Sequence, residues 1–408
     1  MADNTIPLAQ LLNRPATLYV KRLMIVGDPL AVGLGEMTFP NVTSVVINCE
    51  SWGWNTTPKL PDLPSLPNVT KAIFANISHD EYFPLHIPWF QLTHLFLGLS
   101  LPPGQWTAIF KLCVSLQRGC FHLTSEGEDL EPPVSQSPVP EEATLSQLTE
   151  LAFLNSGVTT ESLRGVTMPA LTKLQVFSRW NGVTWDLAHP ERYTNLTHLT
   201  FITCSFIQAE DLIPIFKTVP HLTELFFKIS YHFEEVFKYL TIGCDGKFNL
   251  RAVKALGIYM YTERYRTLEL GEEDAAQEFG DSDPLLPFPY RAFEDLVASR
   301  TQAVHRGDFS SVPYTITPLQ HLVIRMDDND WAKDIARTIR EDIQSFSIYG
   351  LTVGVFGPEE LQGRQCLGGE APWPLIYKHW DEGFMGFVDD LEEYSLYTKA
   401  TPNLGTEP

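Results

Sequence analysis

The sequence lacks paired cysteines, long hydrophobic runs and clusters of basic residues. Its six cysteines among 408 residues form no CxxC pair, which excludes a disulfide scaffold and favours reduced thiols in the cytoplasm or nucleus. No apolar run approaches the roughly 18 residues of a membrane span, and the first residues show no basic flank before an apolar stretch. Lys and Arg number 29 against 50 Asp and Glu, a net charge of −21. We therefore expect no nucleic-acid and no membrane partner.

Common enzyme motifs are absent as well. The chain contains no HExxH, no GxGxxG and no GxSxG sequence. A Gly-Lys pair after Gly243 resembles a phosphate loop, but Thr241 replaces the first glycine and Phe248 replaces the hydroxyl residue that would bind magnesium. Four histidines fall on separate strand segments without acids or thiols at ligand spacing: His94, His122, His198 and His321. We expect no catalytic residues, no cofactor and no metal, and hence no enzyme.

One pattern recurs along most of the chain. Apolar residues occupy positions 1, 4 and 6 of a short segment, often with threonine at position 2, as in LTHLFL from Leu92 and LTHLTF from Leu196. The twelve segments start at Val20, Val42, Val69, Leu92, Leu116, Leu148, Leu171, Leu196, Leu222, Val253, Leu319 and Ile343. Eight of the eleven intervals lie between 22 and 27 residues, the period of a leucine-rich repeat.

This period predicts an α/β leucine-rich-repeat solenoid. It is a curved horseshoe with one parallel sheet on its concave face and helices or irregular segments on its convex face. Apolar spacing predicts helices over 207–219, with Pro214 near the first turn, over 331–339, and from Pro289 onward. Three Asn-x-Thr sequons, at Asn41, Asn68 and Asn195, are explained by the segment starts and not by glycosylation.

The predicted solenoid covers residues 1–356, with two interruptions. An acidic, proline-rich stretch at 124–144 predicts a disordered loop, and an insertion spans 261–315. After residue 356 the pattern ends, and 357–408 is predicted to be a C-terminal cap and tail. Its aromatic residues are more typical of a cap over the last coil than of a ligand site.

Positions 3, 5 and 7 of each segment should face the concave side, because alternate residues of a strand point to opposite faces and positions 4 and 6 point into the core. Aromatic residues stand there among charges of both signs, a composition typical of a protein-binding face. The partner-binding residues predicted on this basis are Phe96, Lys173, Phe177, His198, Glu224, Phe226, Tyr259 and His321. The same positions also hold Lys71, His94, Glu150, Gln175, Lys228, Arg325 and Tyr349. In the alternative interpretation the insertion covers some of these aromatic residues.

Segments such as NLTHLTF and HLTELFF, with the lead-ins VPHL and MPAL, resemble the leucine-rich region of fungal F-box proteins, especially those of mushroom-forming fungi. The resemblance implies a solenoid that captures a substrate, while an F-box ahead of the repeats docks the adaptor of a cullin-RING ubiquitin ligase. Here the strand pattern already begins at Val20, so we expect the F-box to be absent and adaptor binding not to occur.

The expected function is therefore a non-enzymatic protein-protein interaction module, the substrate-recognition part of an F-box-like ubiquitin ligase receptor. One alternative is a free-standing scaffold or inhibitor without a ligase link. Another is an enzyme with its site in the insertion, which is less favoured because 261–315 shows no pairing of a nucleophile with a base.

Overall fold

Twelve short strands form one parallel sheet in the part of the chain that the structure, a computed structural model, describes. The described residues are 20–26, 38–48, 65–77, 87–99, 109–122, 143–154, 165–178, 190–203, 207–230, 232–243, 249–260, 288–302, 316–326 and 330–356. The strands of the sheet are β1 (Arg22–Val26), β2 (Ser44–Asn48), β3 (Lys71–Ile77), β4 (His94–Leu99), β5 (Arg118–His122), β7 (Glu150–Leu154), β9 (Lys173–Ser178), β10 (His198–Thr203), β11 (Glu224–Ile229), β12 (Ala255–Met260), β13 (His321–Met326) and β14 (Thr352–Phe356).

The strands are paired in chain order, and every pairing between neighbours is parallel. A separate two-stranded sheet joins β6 (Ala143–Thr144) to β8 (Val166–Thr167), also in parallel. Parallel neighbours require a return segment after each strand, and the described return segments include helices and turns. The chain is thus an α/β protein with one large parallel sheet.

Helices occupy several return segments. They are α1 (Ala209–Thr218), α2 (Phe233–Leu240), α3 (Tyr290–Arg300) and α4 (Asp330–Ile343), with 3-10 turns at Trp89–Gln91, Pro190–Tyr193 and Gln344–Tyr349. Three predicted helices are confirmed, but Pro214 is the sixth residue of α1 and not part of its first turn. The helix tolerates it with one missing N–H donor. At the start of α1, the Asp211 carboxylate accepts a hydrogen bond from the Gln208 backbone N–H at 3.1 Å.

The main core lies between the sheet and the helices. Positions 1, 4 and 6 of the segments are buried in it, as the pattern predicted; Leu196, Leu199 and Phe201 are typical. The helices contribute Leu212, Phe216 and their equivalents to the same core. Because these side chains alternate along each strand with positions 3, 5 and 7, the latter lie on the opposite face of the sheet. We call this opposite face the far face.

The weakest predicted segment has a packing explanation. Gly119 occupies position 4 of the segment that starts at Leu116 and contains β5. The other strands carry a larger core residue at this position. A Cβ atom at Gly119 would lie 2.7 Å from the ring of Phe121, so this ring fills the space that the glycine leaves open. Phe121 also meets Phe110 edge to face, with ring centroids 5.2 Å apart. The aromatic ring thus replaces the missing core side chain.

The predicted twelfth segment, at Ile343, is wrong. Ile343 ends α4, and the last strand begins at Thr352. The apolar residues Ile343, Phe346 and Ile348 fit the strand pattern, but the first two are also spaced for one side of a helical turn. The structure buries Ile343 and Phe346 and leaves Ile348 78% exposed. Tyr349 therefore packs against the main core from a 3-10 turn and is not on the far face.

Position 2 is often threonine because its hydroxyl bonds the neighbouring strand segment. The Thr172 hydroxyl donates to the Thr149 carbonyl at 3.1 Å, and the Thr197 hydroxyl donates to the Thr172 carbonyl at 3.2 Å. Thr43, Thr70, Thr93, Thr149 and Thr223 donate in the same way to position 2 of the preceding segment. Threonine thus adds a row of hydrogen bonds at the N-terminal ends of the strands.

The asparagine of the sequons has an equivalent role. The Asn68 side-chain amide donates to the Pro40 carbonyl at 2.7 Å, and that of Asn195 donates to the Pro169 carbonyl at 2.9 Å. Both residues of an Asn-x-Thr sequence therefore hold one segment to the preceding one. This accounts for the recurrence of two of the sequons within the fold.

Removing one threonine hydroxyl should reduce stability modestly. Thr172→Val keeps the shape of the side chain and removes one hydrogen bond to a partly exposed carbonyl, so we expect a loss of about 0.5–1.5 kcal/mol in the free energy of unfolding. Thr172→Ser keeps the hydroxyl and should lose less. Urea denaturation followed by circular dichroism compares the three proteins. A valine variant more stable than the serine variant would show that the methyl group matters more than the hydrogen bond.

Two predicted interruptions are only partly described. The loop predicted at 124–144 ends in β6, so its last two residues are ordered, and Ala143 is buried; its backbone N–H donates to the Gly165 carbonyl at 2.7 Å. Residues 124–142 lie outside the described residues. In the insertion, α3 buries Phe293, Leu296 and Val297, while 261–287 and 303–315 lie outside the described residues. The predicted cap and tail, 357–408, also lie outside the described residues.

Arg300, at the end of α3, joins the insertion to the rest of the fold. It is 1% exposed. Its guanidinium donates from Nε to the Leu240 carbonyl at 2.8 Å, from Nη1 to the Leu250 carbonyl at 3.1 Å and from Nη2 to the Asn249 carbonyl at 3.0 Å. Burial lowers the pKa of Arg300 to about 10, so the group stays protonated at neutral pH. A positive charge is stabilised there because Leu240 is the last residue of α2, the negative end of the helix dipole.

Candidate functional site

The far face consists of three rows of residues that run across the strands. The pairing registers align positions 3, 5 and 7 of successive strands. The first row is Arg22, Ser44, Lys71, His94, Arg118, Glu150, Lys173, His198, Glu224, Ala255, His321 and Thr352. The central row is Met24, Val46, Ile73, Phe96, Cys120, Ala152, Gln175, Thr200, Phe226, Gly257, Val323 and Gly354. The third row includes Leu154, Phe177, Ile202, Lys228, Tyr259, Arg325 and Phe356.

The structure places all eight predicted partner-binding residues in these rows. The first row holds Lys173, His198, Glu224 and His321; the central row holds Phe96 and Phe226; the third row holds Phe177 and Tyr259. Only the backbone of Phe177 is described. Lys173, His198 and Glu224 are neighbours on β9, β10 and β11, whereas Phe96 and His321 lie several strands away on either side. The eight residues therefore form no single compact cluster.

Both glutamates of the first row lie at ion-pair distance from basic residues. Glu150 is only 8% exposed and lies between two basic residues on the adjacent strands, with Arg118 Nε at 3.4 Å and Lys173 Nζ at 3.1 Å. Further along, the Glu224 carboxylate lies 3.2 Å from Nε2 of His198 and 3.8 Å from Nζ of Lys254. Glu150 is thus paired within the row, whereas the lysine nearest to Glu224, Lys254, lies outside it.

The pKa of His94 reflects its burial and the charges of its neighbours in the first row. Its Nδ1 lies 2.9 Å from the Thr93 hydroxyl, which itself donates to the Thr70 carbonyl. Burial is the main cause that lowers the pKa of His94 to about 4; the positive charges of Lys71 and Arg118 lower it further, against a smaller opposite effect of Glu150. His94 is therefore neutral at physiological pH. The cations around it outweigh the nearby carboxylate.

The central row is mostly apolar and buried, with Gln175 and Thr200 as its polar members. Val46, Ile73, Phe96, Cys120 and Ala152 form a second hydrophobic cluster, separate from the main core, and each is at most 7% exposed. Farther along the row, Phe226 is 3% exposed. A Cβ atom at Gly257 would lie 2.1 Å from the Phe226 ring, so the ring rests on the glycine backbone of the next strand.

Phe96 and Phe226, two of the predicted partner-binding residues, are therefore largely buried. Both rings pack on neighbouring strands instead of offering free apolar area to a partner. Alternation along a strand predicts the face on which a residue lies, but it does not predict what covers that residue. Among the far-face side chains whose burial the structure describes, the exposed ones belong to the first row.

In the third row Tyr259 lies between two cations. Arg325 Cζ is 4.8 Å and Lys228 Nζ is 5.9 Å from the centroid of the Tyr259 ring, which is cation–π distance. Lys228 is only 3% exposed, which is unusual for a lysine. The third row is therefore positively charged near β11–β13.

All charged residues of the twelve strands lie on the far face. They are six basic residues, Arg22, Lys71, Arg118, Lys173, Lys228 and Arg325, and two acidic residues, Glu150 and Glu224. The strand residues of this face have a formal charge of +4 on a chain of −21. The six basic residues come from six of the twelve strands, so this charge is visible only when the strands are compared and not along the chain.

Sequence reasoning missed Arg22 and Arg118 as members of the site. Both stand at position 3 of weaker segments, those starting at Val20 and Leu116. Reading position 3 through all twelve segments would have found them. It missed Arg300 because the partners of that side chain are backbone carbonyls, which leave no sequence signature.

Metal-binding and thiol chemistry have little support among the described residues. No group of three or more His, Cys, Asp or Glu residues is close enough there to hold a metal ion. His94, His198 and His321 share the first row but lie on β4, β10 and β13. Cys113 and Cys120 are free and buried; burial raises the pKa of Cys113 to about 12 and also raises that of Cys120, so both remain protonated thiols.

Comparison with known proteins gives no relative for this chain. No protein-family model matches it, and no curated protein matches it. Among the described residues, none of the helices is both long and apolar enough to cross a membrane.

Proposed function

We propose that the chain is a leucine-rich-repeat solenoid that binds a protein partner on its far face and catalyses no reaction. The twelve-strand sheet would be the concave side of the horseshoe, with the helices on the convex side. The observation that carries the proposal is the placement of all charged strand residues in aligned rows on one face of the sheet. Such a surface offers many polar contacts at fixed spacing, as a protein-binding face does.

Within this function, the resemblance to fungal F-box proteins suggests the substrate-recognition part of an F-box-like ubiquitin ligase receptor. A free-standing scaffold or inhibitor is the alternative, and it uses the same face. In both functions the partner binds the far face. They differ in whether the subunits of a ubiquitin ligase are bound as well.

The test is affinity purification of the tagged full chain from its native cells, with a variant on each face. The far-face variant is Lys71→Gln with Lys173→Gln, two first-row residues. The control is Lys217→Gln with Arg291→Gln, which removes the same charge from exposed positions on α1 and α3. Thermal unfolding of all three proteins verifies that they are folded.

We expect a protein that the native chain and the control retain and the far-face variant loses. Co-purified cullin-RING subunits would favour the ligase receptor, and their absence would favour the scaffold. A partner retained equally by all three proteins contradicts binding on the far face. Turnover of a small molecule by the purified chain contradicts the non-enzymatic function.

A further inference from the structure

The first row presents basic residues at a regular spacing. Lys71, Arg118 and Lys173 lie on β3, β5 and β9, and one strand separates each from the next in the sheet order β3-β4-β5-β7-β9. Adjacent parallel strands lie about 4.8 Å apart, so these residues originate about 9.6 Å apart along a line. A ligand that places one charge over each of these strand positions must repeat its charge at about this distance, and Arg118 and Lys173 would turn towards it from Glu150, which both contact.

One peptide conformation has this repeat. A polyproline II helix has three residues per turn and rises about 3.1 Å per residue, so every third side chain points the same way at intervals of about 9.3 Å. In a β-strand, side chains three residues apart point to opposite sides. A carboxylate at every third position of a polyproline II segment therefore matches the three cations, and one in an extended strand does not.

The row from Lys71 to Lys173 has three basic residues against one acid, and this net positive charge favours an anionic ligand. Between Lys71 and Lys173 the row includes His94 and the single acid Glu150, which is already paired with Arg118 and Lys173. Lys71 is exposed, and the side chains of Arg118 and Lys173 are 30% and 33% exposed, so all three can be reached. Glu150, Glu224 and the negative net charge of the chain repel a phosphate backbone and an acidic peptide alike, so the repeat distance, and not the charge, is what favours the peptide over a nucleic acid.

We propose that the partner contributes an acidic segment in polyproline II conformation, with carboxylates three residues apart that pair with Lys71, Arg118 and Lys173 in the first row. The proposal rests on the proposed function, because it names the partner chemistry of the far face. Arg can bind a carboxylate with two parallel hydrogen bonds, and the two lysines bind as point charges. Exposed ion pairs of this kind weaken as salt is added.

The experiment measures binding of a fluorescein-labelled peptide, four repeats of Glu-Pro-Pro, to the full chain by fluorescence anisotropy. A second peptide has the same composition with its four glutamates contiguous, and a third has four repeats of Lys-Pro-Pro. We expect the Glu-Pro-Pro peptide to bind at least about fivefold more tightly than the contiguous one, and the lysine peptide not to bind. Lys71→Gln with Lys173→Gln should weaken binding about fivefold to tenfold, whereas Lys217→Gln with Arg291→Gln should change it less than twofold.

The imidazole of His94 provides a local readout. It lies in the row between Lys71 and Arg118, whose charges lower its pKa, so a bound carboxylate should raise that pKa from about 4. The charged groups that act on it come from β3, β5 and β7: Lys71, Arg118 and Glu150. Titration of the histidine Cε1 protons by NMR, with and without the Glu-Pro-Pro peptide, measures the change. An unchanged His94 on saturation with peptide would place the peptide elsewhere and overturn the proposal.

Several results would overturn the proposal. One is equal binding of the two glutamate peptides, and another is equally tight binding of a twelve-residue oligothymidine. Self-association of the chain that the far-face substitutions abolish, followed by sedimentation, would make a second copy the occupant. If no peptide binds but a cellular partner is still lost from the far-face variant, the acidic segment is wrong and the proposed function remains. If no peptide binds and the far-face variant retains the cellular partner as well as the native chain does, both the acidic segment and the proposed function are wrong.

Discussion

Replacing Arg300 by alanine should lower the free energy of unfolding by about 3–5 kcal/mol, because the substitution removes two buried hydrogen bonds and a partly buried one and leaves a cavity. The three acceptors are the carbonyls of Leu240, Asn249 and Leu250, which lie 50 to 60 residues away in the chain. Urea denaturation, followed by circular dichroism, measures the loss.

Two further substitutions separate charge from volume. Arg300→Met fills most of the space but donates no hydrogen bond, so it should be nearly as unstable as Arg300→Ala. Arg300→Lys keeps the charge and part of the bonding and should fall between Arg300→Met and the native protein. The control, Arg291→Ala, lies exposed on the same helix and should change stability by less than about 0.5 kcal/mol. A methionine variant as stable as the native protein would contradict the role assigned to the three bonds.

Arg300 also shows where sequence reasoning ends. The helix that carries it was predicted, because Phe293, Leu296 and Val297 repeat with helical spacing. Its function was not predictable, because a lone arginine at the end of an amphipathic helix normally reaches solvent. Only the tertiary structure shows that the end of α2 and the turn at 249–250 surround it.

The sheet was largely predictable because each strand repeats the same alternation and the strands are paired in chain order. Eleven of the twelve predicted starts precede a strand of the sheet by two residues. The failure at Ile343 has a physical cause: in a segment of six residues, apolar spacings of two and three suit a strand and a helical turn equally. The long α4 helix before it decided the outcome, since Ile335, Ala336, Ile339 and Ile343 continue one buried helical face.

The candidate site was predictable in position but not in accessibility. The choice of the far face required only strand alternation, and the structure places all eight predicted residues there. The burial of Phe96 and Phe226 depends on neighbours in other strands, such as Gly257, whose missing side chain makes room for a ring. Pairwise packing of this kind has no signature within one segment. The same limitation hid the basic first row, which is visible only when twelve segments are compared.

The packing of Phe226 on Gly257 predicts a strong coupling between the two positions. Gly257→Ala alone should destabilise the protein by about 1–3 kcal/mol, since its Cβ would lie 2.1 Å from the Phe226 ring. Phe226→Ala alone should cost about 3 kcal/mol, because a ring that is 3% exposed loses its packing. In the Phe226→Ala background, however, Gly257→Ala should cost almost nothing, because the new methyl group enters the space that the ring has left.

A double-mutant cycle measures this coupling from the unfolding free energies of the four proteins, and we expect it to equal most of the cost of Gly257→Ala, at least about 1 kcal/mol. The matched control pairs Gly257→Ala with Phe96→Ala, in the same row but on β4, far from β12. Those two changes should add to within about 0.5 kcal/mol. Additive effects of Phe226→Ala and Gly257→Ala would mean that the ring does not rest on the glycine in solution. Phe226 would then be free to serve as the exposed aromatic anchor that its position in the sequence suggests.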